Sequence, residues 1–314
     1  MKVPSISANW TLHLEISARP LFNGKRRCKP ILFYPETSIP KHSVASVPPR
    51  NSRKCGRDLV RQDPSRMSPT IVQEHNHFII VDKPAGWLVH PTRPDGTFTL
   101  IDWLRDQYPD EFLSLVSRLD RETSGLLLVA RGKENASLFG KMQQRREIHK
   151  SYLALVHGRP PDSGLIDQPL DRLGKHQPSQ IYMRQAVIPG TYPAQTEFKT
   201  LATRTHPQLG EISLVEATPK TGRLHQIRAH FEHLGFPVVN DKIYGQPDQI
   251  FLDYIDKDTI NELKMARHSL HSAKLAFIWL DLPVLCEIGL PPDLAALWVG
   301  SNPTPDPLPA GIAA

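Results

Sequence analysis

An apolar run from Gly125 to Ala130 is the feature that most limits what this chain can fold into. It holds four consecutive Leu and Val residues, and it follows a polar stretch that begins at Ser117. A short apolar run bounded by turn residues predicts a buried strand. We therefore expect a sheet in which a buried strand starts directly after a polar loop.

That polar loop contains a carboxylate flanked by cations. Asp120 lies between Arg118 and Arg121, and Thr123-Ser124-Gly125 can turn the chain sharply just before the strand. Neighbouring cations favour the ionised carboxylate, which is the form a nucleophile needs. Because the same pattern is common in solvated loops, Asp120 is a candidate that needs further support.

Periodicity and turn residues predict more strands than helices. The predicted helices cover 100–108, 134–144 and 223–234, and the predicted strands cover 77–81, 126–129, 150–156, 196–201 and 212–218. Strands and helices do not alternate as βαβ units, which favours the α+β class with a mixed, largely antiparallel sheet. We expect the folded domain to span 67–283, followed by a tail at 284–314 with one helical turn at 293–298.

Three histidines lie close together in the helix predicted at 223–234, and they raise the question of a metal site. At about 100° per residue, His225 and His230 lie roughly 140° apart on a helix, so they do not share a face as a metal-binding pair would. His233 does not complete a ligand set, since no carboxylate cluster accompanies it. The pattern predicts no metal and argues against a metal-dependent hydrolase.

Other functional classes have little support in the sequence. No glycine-rich dinucleotide fingerprint or NTP phosphate loop is present. No apolar run reaches the length of about 18 residues that a membrane helix needs. Three scattered cysteines, Cys28, Cys55 and Cys286, fit a reducing compartment. These observations predict a cytoplasmic protein that does not bind a membrane.

The basic charge of the chain belongs to its first 66 residues. They carry 13 Lys and Arg against 4 Asp and Glu, a net charge of +9. The whole chain has 38 Lys and Arg and 32 Asp and Glu, so residues 67–314 keep 38 − 13 = 25 basic and 32 − 4 = 28 acidic side chains, a net charge of −3. Proline-rich basic composition predicts disorder. A basic RNA-contacting arm, an organelle transit segment and a mis-assigned start before Met67 all remain open.

Five sequence blocks in a fixed order resemble the RluA-type RNA pseudouridine synthases. They span about 200 residues, and five such blocks together are far more specific than any one of them. Two departures are the Ser117 and Asn240 positions, where many members have His and Gly. The blocks lie at 82–91, 118–128, 150–156, 220–245 and 270–275.

The resemblance implies a pseudouridine-synthase fold with a central RNA-binding cleft, no metal and no cofactor. It implies a catalytic carboxylate at Asp120, an active-site tyrosine at Tyr152 and a basic partner from the 220–230 segment. We expect Arg228 to be that partner, because Arg223 lies about 140° away on the predicted helix. The residues expected to contact RNA are Arg118, Arg121, Arg223 and His225.

The expected reaction is the isomerisation of uridine to pseudouridine in rRNA or tRNA by a monomer. The uracil is cut from the ribose, rotated and rejoined through carbon 5. Whether Asp120 attacks the ribose or the base stays open, as does the identity of the RNA. The alternative from another class is a non-catalytic RNA-binding protein built on the same domain.

Overall fold

A computed structural model describes residues 67–91, 97–257 and 267–300, and a ten-stranded sheet forms its centre. The expectations for residues 1–66 lie outside these ranges. The elements are β1 (Thr70–Glu74), β2 (Phe78–Lys83), α1 (Leu100–Gln107), β3 (Leu113–Leu115), β4 (Ser124–Arg131), α2 (Lys133–Arg145), β5 (His149–His157), β6 (Ser163–Asp167), β7 (Leu170–Arg172), β8 (Gln185–Val187), β9 (Gln195–His206), β10 (Gly210–Pro219), α3 (Gln226–His233), α4 (Asp248–Lys257), β11 (Leu270–Trp279), β12 (Leu282–Glu287) and α5 (Pro292–Val299).

The large sheet is mixed but mostly antiparallel, which confirms the predicted α+β class. Its strand order is β1-β2-β4-β11-β5-β10-β9-β6, with β3 added to β4 and β12 added to β11. Within the described ranges, β4 and β11 form its one parallel pair. β7 and β8 form a separate two-stranded sheet.

Alternate side chains of the central strands pack into cores on opposite faces of the sheet. Ile79 and Val81 join the core that includes α1 and α3, whereas Phe78 and Ile80 join the core that includes α2. β4 is buried from Ser124 to Ala130, as expected for a strand that is covered on both faces. The α1 and α3 face also carries Tyr152, so it is the face where the candidate site lies.

The helix expected to begin at Arg223 begins three residues later, at Gln226. His225 has a left-handed backbone with φ of 52°, which interrupts a right-handed helix. The Gln226 side chain instead accepts hydrogen bonds from the Thr221 hydroxyl at 2.7 Å and the Arg223 amide at 3.0 Å. Arg223 and His225 therefore lie outside α3, and the helical angles predicted for them do not apply.

The folded domain continues beyond the boundary expected at residue 283. That boundary falls inside β12, which pairs with β11 along its length. Leu294 and Trp298 of α5 are buried in the same core as Leu155 of β5. Residues up to Val299 therefore belong to the fold, and the expected tail starts too early.

Candidate active site

The candidate site lies where β4 and β11 approach each other at the centre of the sheet. Gly125 pairs with Ser272 there, and Ser272 pairs on its other side with Tyr152 of β5. A Cβ atom on Gly125 would lie 2.3 Å from the Ser272 carbonyl oxygen, and its φ of 108° also favours glycine. The close approach brings the Asp120 loop and Tyr152 to one region, within the width of three strands.

Asp120 occupies a turn that presents its carboxylate at the domain surface. Leu119 is buried in the core, Arg118 is exposed, and the Thr123 amide donates to the Asp120 carbonyl at 3.2 Å. The Asp120 side chain keeps 26% of its surface exposed, which leaves it open to a substrate. The loop is thus anchored by Leu119 and still offers a reactive carboxylate.

Arg228 joins Asp120 to a second, fully buried carboxylate. One guanidinium nitrogen donates to Asp120 Oδ2 at 2.9 Å. The other two donate to Asp241, Nε to Oδ2 at 2.6 Å and Nη2 to Oδ1 at 2.8 Å. Asp241 Oδ1 also accepts the Ile243 and Tyr244 amides at 2.9 Å and 3.2 Å. Asp241 therefore fixes the orientation in which Arg228 meets Asp120, and this ion pair is the one expected from the sequence.

The surroundings of Asp120 favour its ionised form. Burial alone would raise its pKa, but His225, Arg228 and His268 together lower the pKa of Asp120 to about 2. At neutral pH the group is a carboxylate.

His225 is a buried neighbour of the carboxylate. Its Nε2 lies 3.8 Å from Asp120 Oδ2, and its Nδ1 is hydrogen-bonded with the Tyr244 hydroxyl at 3.0 Å. Burial, with Arg228 nearby, lowers the pKa of His225 to about 4, so the ring is neutral at pH 7. The sequence predicts an RNA contact at His225, and the structure places this residue inside the site, next to Asp120.

Tyr152 lies on β5, in the core cluster that borders the site. Burial and the charge of Asp120 raise the pKa of Tyr152 to about 12, while a hydrogen bond with Ser272 lowers it. Its phenol is therefore protonated at neutral pH and can donate a hydrogen bond.

A buried lysine holds the Asp120 turn from one side. Lys83 ends β2, and its ammonium donates to the carbonyls of Pro84, Trp87 and Arg121 at 2.9, 3.1 and 3.1 Å. The Gly86 amide donates to the same Arg121 carbonyl at 2.8 Å. Burial lowers the pKa of Lys83 to about 7, against the opposing charge of Asp120. The turn after β2 thereby fixes the backbone next to Asp120.

Glu122 holds the turn from the other side. It accepts hydrogen bonds from Lys242 Nζ at 2.6 Å and from the His268 amide at 3.1 Å. The His268 ring is hydrogen-bonded through Nε2 with the Thr123 hydroxyl at 2.8 Å. Although burial opposes it, the His268 and Lys242 contacts hold the pKa of Glu122 well below its usual range. The loop is thus clamped to residues before β11 and after α3.

The arginines expected to contact RNA occupy different surroundings. Arg118 and Arg121 are exposed on the Asp120 loop, and Arg121 Nε donates to the Gly86 carbonyl at 3.0 Å. Arg223 is exposed and donates to the Pro193 carbonyl at 3.2 Å. Arg223 does not share the Asp120 carboxylate with Arg228. All three lie where a polyanion can reach them.

The other histidines of the segment make structural contacts. His230 is buried, with Nδ1 hydrogen-bonded with the Thr196 hydroxyl at 2.9 Å and Nε2 donating to the Gln168 carbonyl at 3.0 Å. His233 is exposed. No group of side chains suited to a metal ion occurs among the described residues.

Sequence reasoning missed the residues that support the site: Lys83, Glu122, Asp241, Tyr244 and His268. Four of them lie inside the sequence blocks and His268 lies two residues before one, which was the available signal. Their partners are far away in the chain, so spacing alone does not reveal the pairs. Asn240 has φ of 60°, a conformation that Gly and Asn both adopt, so its departure from the family pattern leaves the backbone intact.

The chain is similar to known pseudouridine synthases. A family model for RNA pseudouridylate synthase matches residues 77–233. An uncharacterized RNA pseudouridine synthase of Chloroflexus aurantiacus is 38% identical over 63% of this chain and 57% of that protein. A ribosomal large subunit pseudouridine synthase D of Nitrosomonas europaea is 34% identical over 72% and 63%. The dual-specificity RNA pseudouridine synthase RluA of Vibrio vulnificus is 34% identical over 66% and 76%.

The match spans less than two thirds of the first two of these relatives, 57% and 63% of their lengths. Among solved structures, human RNA pseudouridylate synthase domain containing 1 superposes with a TM-score of 0.57 at 26% identity, covering 73% of this chain and 87% of that one. Human RNA pseudouridylate synthase domain containing 4 gives 0.55 at 22% identity over 72% and 90%, which supports the fold alone. No helix within the described ranges is long and apolar enough to cross a membrane.

Proposed function

Because this chain belongs to the RNA pseudouridylate synthase family, we propose that it isomerises uridine to pseudouridine in structured RNA. The observation that carries the proposal is the ionised Asp120 carboxylate, whose Oδ2 accepts a hydrogen bond from Arg228 at 2.9 Å. The turn that carries Asp120 is held by Lys83 on one side and by Lys242 on the other. A non-catalytic RNA-binding protein would not need this arrangement. The proposed catalytic residues are Asp120, Arg228 and Tyr152.

The reaction is balanced without any added reagent. The bond between N1 of uracil and C1′ of ribose breaks, the uracil rotates, and C5 bonds to C1′. C5 loses one proton and N1 gains one, so product and substrate have the same composition. No electron acceptor is needed, which agrees with the proposal of an enzyme without a cofactor.

Asp120 is the proposed nucleophile because it is ionised and reachable. Its pKa of about 2 keeps it a carboxylate throughout the neutral range. The target base must leave its stack before the carboxylate can reach it, at a cost of roughly a few kcal/mol. The exposed Arg118, two residues before Asp120, can fill the vacated space or hold a phosphate. Attack on the ribose and attack on the base both fit this geometry.

Tyr152 and His225 are the proposed walls of the uracil pocket. Since the Tyr152 pKa is about 12, its hydroxyl stays protonated at neutral pH and can donate a hydrogen bond, and its ring offers a face to uracil. His225 is neutral and 3.8 Å from Asp120, so it meets the flipped base rather than the phosphate backbone. This role specifies the RNA contact expected of His225 from the sequence.

We propose rRNA as the substrate class, with tRNA as the alternative. The Nitrosomonas europaea relative carries a name that refers to the large ribosomal subunit, and the Vibrio vulnificus relative is named as having dual specificity. Exposed Arg118, Arg121 and Arg223 are the proposed phosphate contacts. We also propose a cytoplasmic monomer, unless residues 1–66 direct the chain to an organelle.

Mapping pseudouridines in total RNA from cells with and without this protein tests the proposal. We expect one or a few uridines in rRNA to lose their modification, and to regain it when the wild-type gene is restored. If only tRNA lost pseudouridines, the substrate class would be tRNA instead of rRNA, and the proposed activity would still hold. Unchanged pseudouridines in every RNA would contradict the proposed function.

A further inference from the structure

Two tyrosines on the segment around β7 and β8 are far more exposed than aromatic side chains usually are. Tyr182 is 74% exposed and Tyr192 is 51% exposed. Single exposed apolar side chains are common on soluble proteins, so the exposure of the two rings does not by itself indicate a contact. The groups that surround the two rings give the further evidence.

Cations lie over both rings. The Arg172 guanidinium is 4.1 Å from the centre of the Tyr182 ring, and Lys175 and Arg223 are each 5.3 Å from the centre of the Tyr192 ring. We call Tyr182, Tyr192, Arg172 and Arg223 the aromatic–basic surface. A guanidinium at this distance backs one face of the Tyr182 ring, and the exposure of the ring leaves the opposite face accessible.

The charge of this surface is not neutralised within the described part of the chain. Lys175 pairs with Asp171 at 2.8 Å, but neither Arg172 nor Arg223 has a carboxylate partner among the described residues. A ligand that brings negative charge and flat apolar rings would match both features. Unpaired nucleotides have both, because each carries one phosphate and one base.

The aromatic–basic surface is tied to the candidate active site by short contacts. Arg223 is two residues from His225, whose Nε2 is 3.8 Å from Asp120. The Gln185 amide donates to the Tyr244 hydroxyl at 2.9 Å, and this hydroxyl is hydrogen-bonded with His225 at 3.0 Å. The aromatic–basic surface and the candidate active site are therefore joined through His225 and Tyr244, and a strand bound at Asp120 under the proposed function would have this surface within its reach.

We propose that Tyr182 and Tyr192 stack on unpaired bases that flank the target uridine, while Arg172 and Arg223 hold the adjoining phosphates. The proposal rests on the proposed function, and it identifies the nucleotides beside the target uridine as the part of the substrate that the enzyme recognises. It predicts that the enzyme prefers uridines in loops with unstacked neighbours. Stacking accepts any base, so the surface adds affinity more than sequence choice.

Fluorescence anisotropy with the full-length protein and two labelled probes tests the proposal. One probe is a ten-nucleotide oligouridine, and the other is an abasic strand of equal length. We expect the double variant Tyr182→Ala/Tyr192→Ala to raise Kd for oligouridine by about tenfold or more. Its Kd for the abasic strand should stay within twofold of wild type, because phosphate contacts are kept.

Matched variants separate stacking from charge and from folding. Tyr182→Phe/Tyr192→Phe keeps both rings and should bind oligouridine like wild type. Phe112→Ala removes another exposed ring, which is 48% exposed and 5.8 Å from Lys133 Nζ, and it should change neither Kd. Arg172→Gln/Arg223→Gln should weaken binding to both probes and reduce the slope of log affinity against log salt by roughly one per lost phosphate contact.

Oligouridine binding within twofold of wild type in the double alanine variant would overturn the proposal and assign the surface to another ligand class, such as a protein. Equal losses on both probes would overturn it as well, since stacking would not be the cause. The assay does not depend on turnover. Absence of pseudouridine formation by the wild type would therefore contradict the proposed function and leave the stacking comparison valid.

Discussion

Replacing Arg228 with alanine should be the most damaging single change to the stability of the site. The variant removes two hydrogen bonds to Asp241 and one to Asp120. The Asp241 side chain has no exposed surface, so its charge would keep only the two backbone amides of Ile243 and Tyr244. Breaking a buried ion pair in this way costs roughly 3–5 kcal/mol.

Urea denaturation followed by circular dichroism measures this loss, and tritium release from RNA labelled at C5 of uridine measures activity. A loss of roughly 3–5 kcal/mol is a large share of the typical 5–15 kcal/mol of a domain, so the midpoint should fall steeply. Activity should fall as well, because Asp120 loses its cationic partner.

Two comparisons make the result specific. Arg223→Ala removes an exposed arginine three residues before α3, and it should change stability by less than about 0.5 kcal/mol. Arg228→Ala/Asp241→Ala removes the stranded carboxylate together with its partner, so it should recover part of the loss. An Arg228→Ala variant within about 1 kcal/mol of wild type, with a normal rate, would refute the reasoning.

Three further predictions follow from other features of the chain. Gly125→Ala should lower the free energy of unfolding, measured by urea denaturation, by roughly 3 kcal/mol, because the new Cβ would lie 2.3 Å from the Ser272 carbonyl oxygen and the backbone has a positive φ. A loss below about 1 kcal/mol would contradict this. Burial lowers the pKa of His271 to about 4, below its unfolded value near 6.5, so the unfolded chain binds the extra proton and His271 alone should remove about 1.4 kcal/mol of stability per unit as pH drops from 6.5 to 4; His271→Asn should reduce the slope of stability against pH by about that amount and leave the share of His225, and an unchanged slope would contradict the assignment. A truncated protein that begins at Met67 should keep its choice of uridine and show a shallower salt dependence of RNA binding, since the net charge of +9 is lost; equal slopes would leave residues 1–66 as a targeting segment or a mis-assigned start.

Part of the arrangement of the candidate site could be predicted from the sequence because its main residues lie in contiguous blocks. The buried strand after the Asp120 loop is visible as an apolar run, and β4 confirms it. The pairing of Asp120 with Arg228 was predicted and is present, although the helical angle used to choose Arg228 over Arg223 did not apply. The prediction was correct for the pair because Arg223 lies in the loop before α3, away from the carboxylate.

The supporting contacts could not be predicted because they are long-range. Asp241 and Lys242 are neighbours in the chain, yet Asp241 binds Arg228 and Lys242 binds Glu122. Local periodicity does not indicate that these two neighbours bind different partners. The same holds for Lys83, whose ammonium reaches the backbone of the Asp120 turn 38 positions away.

Local pattern also failed where single residues override it. The left-handed His225 delays the start of α3 to Gln226, although no glycine or proline in the predicted helix signals that interruption. β12 contains Pro283, which argues against a strand, and four of its six residues are exposed. Proline is tolerated where its missing N–H faces away from a ladder, as at a sheet edge. The strand is defined by its pairing with β11, which lies outside local sequence.

The Asp120→Asn variant, measured by single-turnover tritium release from uridine-labelled RNA, tests the central claim most directly. Asparagine keeps the shape of the side chain and removes its charge, while Arg228 stays paired with Asp241. The variant should therefore fold and bind RNA much as the wild type does, with no measurable release of tritium. Release within tenfold of the wild-type rate would contradict the assignment of Asp120 as the catalytic carboxylate.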